Sequence, residues 1–294
     1  MYKTLSAYLK STYGGKIRKI CIDGGFSCPN RDGVSGHGGC IYCGERGAGE
    51  HINGSLDIAE QVNAGLRDIR ADGYIAYFQN FTNTYADLDT LRLRYDAALI
   101  DDRIVALAVG TRPDCIDGGV CELLSSYKSK VDVWVELGLQ TASDEVARRI
   151  NRGYKTEVYF RAAELLHSYG IPFVTHLMVG LPGEKPSDID ASVEAVRKAR
   201  SWGVKIHSTY VMEGTLLADM YREKLYTPPT FDEYVESAAR ILASLGDSVI
   251  VHRITGDCPE GLLVAPEWSR DKSHVISAIQ ARLAELESDG TSIS

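Results

Sequence analysis

The sequence predicts an α/β protein and, within that class, an incomplete (β/α) barrel. Strand-like and helix-like segments alternate along most of the 294 residues, and one long strand candidate has an apolar face and a polar face. Alternating units of this kind form a parallel sheet whose crossovers are helices. A third observation, polar side chains at the ends of several strand candidates, indicates where the functional site lies.

Seven segments are rich in β-branched and other apolar residues, as strands are: residues 19–22, 74–79, 104–109, 131–140, 172–179, 204–211 and 249–254. Between them, amphipathic segments repeat apolar residues at helical spacing, among them residues 57–71, 159–170 and 188–203. A further helix is predicted over residues 230–246, because Thr230 and Glu233 form a capping-box pattern and the segment closes on glycine.

The segment 131–140 favours a barrel over a doubly wound sheet. Its odd positions are valine or leucine, whereas its even positions include Asp132, Glu136 and Gln140. A strand covered by helices on both faces would be apolar throughout. One face of this strand therefore suits a layer of helices, and the other suits a polar barrel lumen.

Polar residues gather where the predicted strands end, which in parallel α/β folds is the functional edge. The set comprises Gln79, Asn80, Thr111, Arg112, Asp114, Gln140, His176, Tyr210, Glu213, His252 and Arg253. The first strand ends just before a cysteine-rich loop. We expect the site at this edge.

Composition and charge narrow the class of protein. No run approaches 18 apolar residues, and the N-terminus lacks the apolar core of an export signal, so we predict a cytoplasmic protein without a membrane span. Seven cysteines, an odd number, indicate a reducing compartment. The net charge is −8, yet residues 1–20 hold five basic side chains and no acidic one. This terminus is either a solvated extension or a contact for RNA phosphates.

Cys28, Cys40 and Cys43 lie within sixteen positions, interspersed with glycines. Thiolates at this density usually bind metal, and two interpretations are open. With His37 they would form a Cys3His zinc site. Alone they would hold an iron–sulfur cluster with one iron lacking a protein ligand.

Several motifs together indicate a family. "GGFSCPNRDG", "YFQNFTNTYA", "VGTRPDCI", "GLQTASDEVARRINRGY", "HLMVGLPGE" and "HRITGDCP" follow one another between about residue 15 and residue 280. With the three cysteines, they resemble the radical S-adenosylmethionine (radical SAM) superfamily, and within it a bacterial subgroup of the YhcC/YtqA type. That subgroup is related to the radical domain of the Elongator catalytic subunit and, more distantly, to oxygen-independent coproporphyrinogen oxidase.

The resemblance implies a fold and two cofactors. The fold is a partial (β/α)6-type TIM barrel of the radical SAM type, with a basic N-terminal extension (1–17), a barrel core (18–212) and a C-terminal strand and helix extension (213–294) that closes the barrel. The cofactors are a 4Fe–4S cluster on the three cysteines and S-adenosylmethionine on its open iron. Reductive cleavage of S-adenosylmethionine would give a 5′-deoxyadenosyl radical that abstracts hydrogen from substrate.

Roles around S-adenosylmethionine follow from the same resemblance. Tyr42 would lie against the adenine, Gln140 would contact the ribose and Arg152 would pair with the carboxylate. His176 stands where the coproporphyrinogen-oxidase relatives have a ribose-binding aspartate. Thr111, or the segment that contains Gln79, would take the amino group.

The relatives imply transfer RNA as substrate, with removal of the carboxymethyl group of 5-carboxymethylaminomethyluridine at the wobble position. The electron donor would be a reductase with flavodoxin or ferredoxin. The predicted substrate-binding residues are Tyr210, His252, Arg253, Trp268 and Lys272. Two alternatives stay open: radical chemistry on a small polycarboxylate such as a porphyrinogen, and a zinc-stabilised RNA-binding protein without catalysis.

Overall fold

A computed structural model describes residues 2–47, 52, 54–259 and 261–290. Its strands, in chain order, are β1 (Lys3–Thr4), β2 (Ile17–Ile22), β3 (Gly73–Phe78), β4 (Ile104–Thr111), β5 (Asp132–Gln140), β6 (Phe173–Val179), β7 (Gly203–Ser208), β8 (Val211–Met212), β9 (Ile250–Arg253) and β10 (Leu263–Ala265). Its α-helices are α1 (Leu5–Tyr13), α2 (Ile58–Asp68), α3 (Leu88–Ala98), α4 (Gly118–Ser126), α5 (Asp144–Arg149), α6 (Thr156–Ser168), α7 (Pro186–Lys198), α8 (Leu216–Arg222), α9 (Phe231–Leu245) and α10 (Lys272–Ser288).

Eight of the described strands form one curled sheet in the order β1-β9-β7-β6-β5-β4-β3-β2, and all neighbours in it are parallel. Helices cover its outer face, so the sheet is a half-barrel and the predicted partial TIM barrel is confirmed. The seven predicted strands are present with shifts of a few residues at their ends. The short strands β1 and β10 were not predicted, because two or three residues carry no periodicity.

The two faces of β5 confirm the prediction from alternation. Val133, Val135, Leu137 and Leu139 pack in the helix-covered core. Glu136 points the other way, into a cavity inside the curl of the sheet. The fold therefore places a carboxylate in its own lumen.

The N-terminal segment closes the end of the half-barrel opposite the carboxyl ends of the strands. Leu9 on α1 is buried in a cluster with inward-facing residues of the sheet, and Tyr8 packs edge-on against Trp202 at a ring-centroid distance of 5.3 Å. Lys19, predicted as part of an RNA-binding terminus, instead turns inward and forms an ion pair with Glu136 at 3.0 Å. Its charge belongs to the lumen.

The C-terminal part completes the sheet. β9 pairs with β7 and β1, and β8 forms a small antiparallel sheet with β10. Strands of the predicted C-terminal extension (213–294) are thus paired with strands of the predicted barrel core (18–212). α9 caps its N-terminus with the predicted box of Thr230 and Glu233 and packs against α10. Within the described ranges, no helix combines the length and apolar character needed to cross a membrane.

Candidate functional site

A cavity of about 490 Å³ opens at the carboxyl ends of the strands and extends into the lumen. Its wall contains every predicted site residue except Trp268 and Lys272. Residues that lie up to 225 positions apart in the chain, from Cys28 to Arg253, therefore share one enclosed space. Enclosed pockets of this size accommodate small cofactors and substrates.

Cys28, Cys40 and Cys43 line the mouth of this cavity, and none of them forms a disulfide. A hydrogen bond from the Cys43 thiol lowers the pKa of Cys40 to about 7, although burial opposes this effect. Asn30 Nδ2 adds a second donor to Cys40 Sγ at 3.7 Å. The lowered pKa favours the thiolate form of Cys40, which is the form of cysteine that binds metals.

The cysteine loop is held in place by polar side chains that the sequence did not single out. Asn151 Nδ2 donates to the carbonyls of His37 (3.0 Å) and Gly39 (2.7 Å), and Asn30 Nδ2 donates to the Asn151 carbonyl at 2.5 Å. The Arg31 guanidinium donates to backbone carbonyls of residues 43–45. Gly39 has φ +79°, a left-handed conformation that favours glycine, so the loop can turn sharply just before Cys40.

Arg152 has a different task from the predicted one. Its side chain is 1% exposed, and its Nη1 donates to the carbonyls of Leu139 and Thr141, both at 2.6 Å. Nε and Nη2 donate to the Tyr154 carbonyl, and Nη2 also donates to Thr156 Oγ1. These contacts occupy all five N–H groups of the guanidinium, so none is free for a cofactor carboxylate. Arg152 positions the loop between β5 and α6.

Four polar residues predicted to meet S-adenosylmethionine line the same mouth: Tyr42, Gln79, Thr111 and Gln140. Gln140 ends β5 at φ +61°, and its Oε1 accepts from the Tyr154 hydroxyl at 3.3 Å. Thr111 Oγ1 lies 2.6 Å from Thr84 Oγ1. All four residues share the cavity wall with the three cysteines. Their contacts with S-adenosylmethionine stay a prediction.

Deeper in the cavity, Glu136 is the centre of a charged cluster with Lys19, Lys205 and His176. The carboxylate has no exposed surface; Lys19 Nζ and His176 Nε2 each lie 3.0 Å from it, and Lys205 Nζ also bonds to it. Burial would raise the pKa of Glu136, but Lys19 and Lys205 hold it well below its usual range. Burial lowers the pKa of Lys205 to about 7, against the opposing effect of Glu136. His176, predicted near the cofactor ribose, is therefore engaged with this carboxylate.

Two further histidines and an arginine complete the lumen. His207 Nε2 and both ring nitrogens of His252 are buried and have no hydrogen-bond partner among the described residues. Burial, reinforced for His207 by Arg253 and for His252 by Lys19, lowers both imidazole pKa values well below the usual range, so both rings are neutral near pH 7. Arg253 is exposed to the cavity at the end of β9.

The structure corrects two predicted substrate contacts. Trp268 packs on the outside of the barrel, stacked on Tyr234 at 5.2 Å, with its Nε1 donating to the Pro229 carbonyl at 3.1 Å. Lys272 lies outside the cavity wall and forms an ion pair with Asp257 at the rim. Tyr210 does line the cavity, and its hydroxyl is 3.4 Å from the Asp257 carbonyl.

Sequence reasoning missed Lys205 and His207 as site residues, although a signal was present. Both interrupt the apolar strand segment "VKIHSTYV" at alternate positions, the pattern that identified the inward face of β5. Asn30 and Asn151 gave no such signal, because loop asparagines are common in turns. Their role depends on which backbone carbonyls the fold brings near them.

Comparisons with known proteins agree with this arrangement. Residues 33–196 match the family model of the radical SAM superfamily, and residues 201–285 match that of the radical SAM C-terminal domain. The chain is 36% identical to YtqA of Bacillus subtilis over 295 residues, covering 99% of this chain and 91% of YtqA. It is 38% identical to YhcC of Escherichia coli K12 over 267 residues, covering 90% of this chain and 86% of YhcC.

The chain is also similar, more distantly, to two proteins whose names refer to transfer RNA modification or to Elongator. A tRNA uridine(34) acetyltransferase of Dehalococcoides mccartyi is 31% identical over 160 residues, covering 53% of this chain and 34% of that protein. The solved structure of Elp3 from Methanocaldococcus infernus superimposes with a TM-score of 0.69 at 19% identity, covering 94% of this chain and 63% of that one. At this identity the superposition shows the shared fold.

The donor set at the cavity mouth fits a 4Fe–4S cluster. It offers three soft sulfur ligands and no fourth cysteine of the same loop, which leaves one iron free for another ligand. His37, the fourth ligand of the alternative Cys3His zinc site, is exposed and is not part of the described cavity wall, whereas all three cysteines are. This placement favours the cluster over the zinc site.

Proposed function

The chain belongs to the radical SAM superfamily, and from this premise we propose that it modifies the wobble uridine of transfer RNA. The reaction in this proposal removes the carboxymethyl group of 5-carboxymethylaminomethyluridine and leaves 5-aminomethyluridine. Loss of a hydrogen atom and then of an electron from the methylene carbon would give an imine, and water would cleave its C–N bond to release glyoxylate. The overall two-electron oxidant would be S-adenosylmethionine, which ends as methionine and 5′-deoxyadenosine. The cofactors are a 4Fe–4S cluster and S-adenosylmethionine, which together supply one-electron reductive chemistry that begins with abstraction of a substrate hydrogen atom.

In this proposal, residues at different positions along the cavity have different roles. Cys28, Cys40 and Cys43 would hold the cluster at the mouth. Tyr42, Gln79, Thr111 and Gln140, on the adjoining wall, would bind and orient S-adenosylmethionine. The sheet and the apolar cluster around Leu9 of α1 surround the lumen, and this enclosure would shield a reactive intermediate from side reactions.

The observation that carries the substrate assignment is the charge of the inner wall. Lys19, Lys205 and Arg253 face the cavity, whose described wall has two acidic side chains. These are Glu136 and Asp257, and Asp257 is paired with Lys272, so positive charge is in excess. A carboxymethyl group carries the complementary negative charge. The partial similarity to a protein named as a tRNA uridine(34) acetyltransferase supports transfer RNA as its carrier.

Cellular context follows from the chemistry of the thiols. The seven cysteines are all free, which suits a reducing compartment, and we place the reaction in the cytoplasm. The electron would come from flavodoxin or ferredoxin and their reductase.

Nucleoside analysis of transfer RNA tests the proposed function. Cells that lack the gene should accumulate 5-carboxymethylaminomethyluridine, and restoring the gene should convert it to 5-aminomethyluridine. A gene copy carrying Cys40→Ala serves as the matched control and should not restore the product. Identical nucleoside profiles with and without the gene would refute the wobble-uridine assignment.

A second candidate, radical chemistry on a small polycarboxylate such as a porphyrinogen, is favoured by the same cationic lumen. The two candidates differ in their need for RNA. Purified, cofactor-loaded protein that turns over a polycarboxylate but does not bind transfer RNA at low salt would favour the second. Binding that weakens steeply with added salt would favour transfer RNA.

A further inference from the structure

We infer that the inner end of the cavity is a carboxylate-binding site formed by Lys205, His207, His252 and Arg253, with Glu136 as the residue that positions Lys205. The inner end is the part of the cavity wall around Lys205 of β7 and Arg253 of β9, which face each other in the sheet register. The inference deepens the proposed function and rests on it for the identity of the substrate. It adds Lys205 and His207, which lie outside the motifs named above, to the predicted substrate contacts His252 and Arg253, and it assigns the recognition of the substrate's negative charge to these four residues.

Charge is the first argument. Glu136 and Asp257 are the acidic side chains on the described cavity wall. Asp257 pairs with Lys272, and Glu136 is shared by Lys19 and Lys205, so Glu136 cannot balance both lysines when both are protonated. Arg253 adds a further positive charge, and no ion-pair or hydrogen-bond partner of its side chain is found among the described residues. An anion bound at the inner end would therefore meet an excess of positive charge.

Unused hydrogen-bonding capacity is the second argument. The His252 side chain has no exposed surface, yet neither of its ring nitrogens has a described partner, and His207 Nε2 is in the same state. A neutral imidazole carries one N–H donor, and a buried donor without a partner destabilises the fold. A bound oxygen anion would accept hydrogen bonds from these N–H groups and remove that destabilisation.

The position of Lys205 is the third argument. Its side chain is 5% exposed, and its Nζ lies between the Glu136 carboxylate and the Tyr77 hydroxyl, which is 3.0 Å away. An ammonium has three N–H donors, and these two partners use two of them. The third is available to a ligand, and Glu136 fixes the direction in which it points.

Tryptophan fluorescence provides a direct binding assay. Two of the three tryptophans border the site: Trp134 and Trp202 lie 6.3 Å and 5.3 Å from the His252 ring. In the cofactor-loaded protein carrying Trp268→Phe, titration with N-ethylglycine, a secondary amine with a carboxymethyl group, should change the emission saturably. Diethylamine, which lacks the carboxylate, should not. The absence of a saturable change with N-ethylglycine would overturn the inference.

Site variants and a second anion, inorganic phosphate, test where N-ethylglycine binds and whether the site is specific for a carboxylate. Arg253→Gln and Lys205→Met should each weaken N-ethylglycine binding at least about 10-fold, because each removes a charge-assisted hydrogen bond. Arg161→Gln, on the exposed face of α6, should leave the affinity unchanged. Unchanged affinity in both site variants would overturn the inference. Inorganic phosphate that binds as tightly as N-ethylglycine would overturn the assignment to a carboxylate, since the site would then be a general anion site.

A comparison of two RNAs separates this inference from the proposed function. Anticodon stem-loops that carry 5-carboxymethylaminomethyluridine or 5-aminomethyluridine differ only in the carboxymethyl group. If the protein prefers the stem-loop with 5-carboxymethylaminomethyluridine and Arg253→Gln abolishes this preference, the inference and the proposed function both stand. If the preference survives both site variants, the inference fails and the proposed function stands. If neither RNA binds but N-ethylglycine does so through Arg253 and Lys205, the proposed function fails and the carboxylate site stands.

Discussion

Replacement of Arg152 by methionine distinguishes a structural arginine from a cofactor-binding one. Methionine keeps much of the length of the side chain but removes every donor. In the structure, the guanidinium holds the carbonyls of Leu139, Thr141 and Tyr154, which belong to the end of β5 and the loop that follows it. The substitution would remove this partner from all three carbonyls at a position where the wild-type side chain is 1% exposed.

The expected loss of stability follows from the carbonyls that have no other partner. The Leu139 carbonyl keeps the hydrogen bond from Thr141 N at 2.7 Å, so two carbonyls, those of Thr141 and Tyr154, lose their described donor. A buried carbonyl that loses its hydrogen bond costs about 1–3 kcal/mol, so the free energy of unfolding should fall by at least about 2 kcal/mol. For a domain of this size, about 1 kcal/mol corresponds to a change of about 2 °C in the melting temperature, so Arg152→Met should lower it by at least about 4 °C.

Scanning calorimetry of the cofactor-loaded protein at one fixed scan rate measures this shift. The matched control is Arg161→Met, which removes an exposed ion pair with Glu157 at 3.1 Å and should change the melting temperature by less than about 2 °C. An Arg152→Met protein that melts like the wild type but needs at least tenfold more S-adenosylmethionine would refute the structural role. It would restore the cofactor contact that the sequence predicts.

Three further predictions concern the cluster and pH. Alanine at Cys28, Cys40 or Cys43 should abolish formation of 5′-deoxyadenosine and lower bound iron, and a variant that retains both would remove that cysteine from the ligand set. Asn151→Gly keeps the backbone conformation at φ +52° but removes the donors to the cysteine loop, so iron should be lost to a chelator several-fold faster than from the wild type; equal rates would contradict the role of Asn151. Burial raises the pKa of Glu184 to about 7 from 4.5, so the folded carboxyl keeps its proton where the unfolded one has lost it, and this group lowers stability as pH rises from 4.5 through 7. Glu184→Gln should lack this contribution, and its melting temperature relative to wild type should rise between pH 5 and pH 8; a constant difference would show that Glu184 ionises normally.

Periodicity was sufficient to predict the sheet and its orientation. The alternation of residues 131–140 identified the lumen face of β5, and the structure places Glu136 and Gln140 on the cavity wall as expected. This succeeds because a strand has a strict period of two, so a single polar position fixes the direction of all the others. The same argument applied to β7 would have found Lys205 and His207.

Partners of buried side chains could not be predicted in the same way. Arg152 was expected to face the cofactor because its motif matches that of relatives. Its five donors are instead taken by three backbone carbonyls and the Thr156 hydroxyl of the same loop region. Trp268 was expected at the substrate, yet it stacks on α9 outside the barrel. Backbone carbonyls carry no sequence signal, and helix packing on the far side of a sheet is not encoded in a local pattern.

The buried charge of the lumen is difficult to explain by stability alone. Removing ions from water costs several kcal/mol each, and a buried ion pair rarely stabilises a fold more than apolar residues of the same volume would. Here one carboxylate meets two lysines, with a neutral histidine as third partner, and nearby imidazoles lack partners among the described residues. An apolar lumen would be the more stable solution for these strands, which are otherwise valine- and isoleucine-rich. The excess of positive charge therefore supports the proposed carboxylate site, which lies in the same cavity as the three thiols.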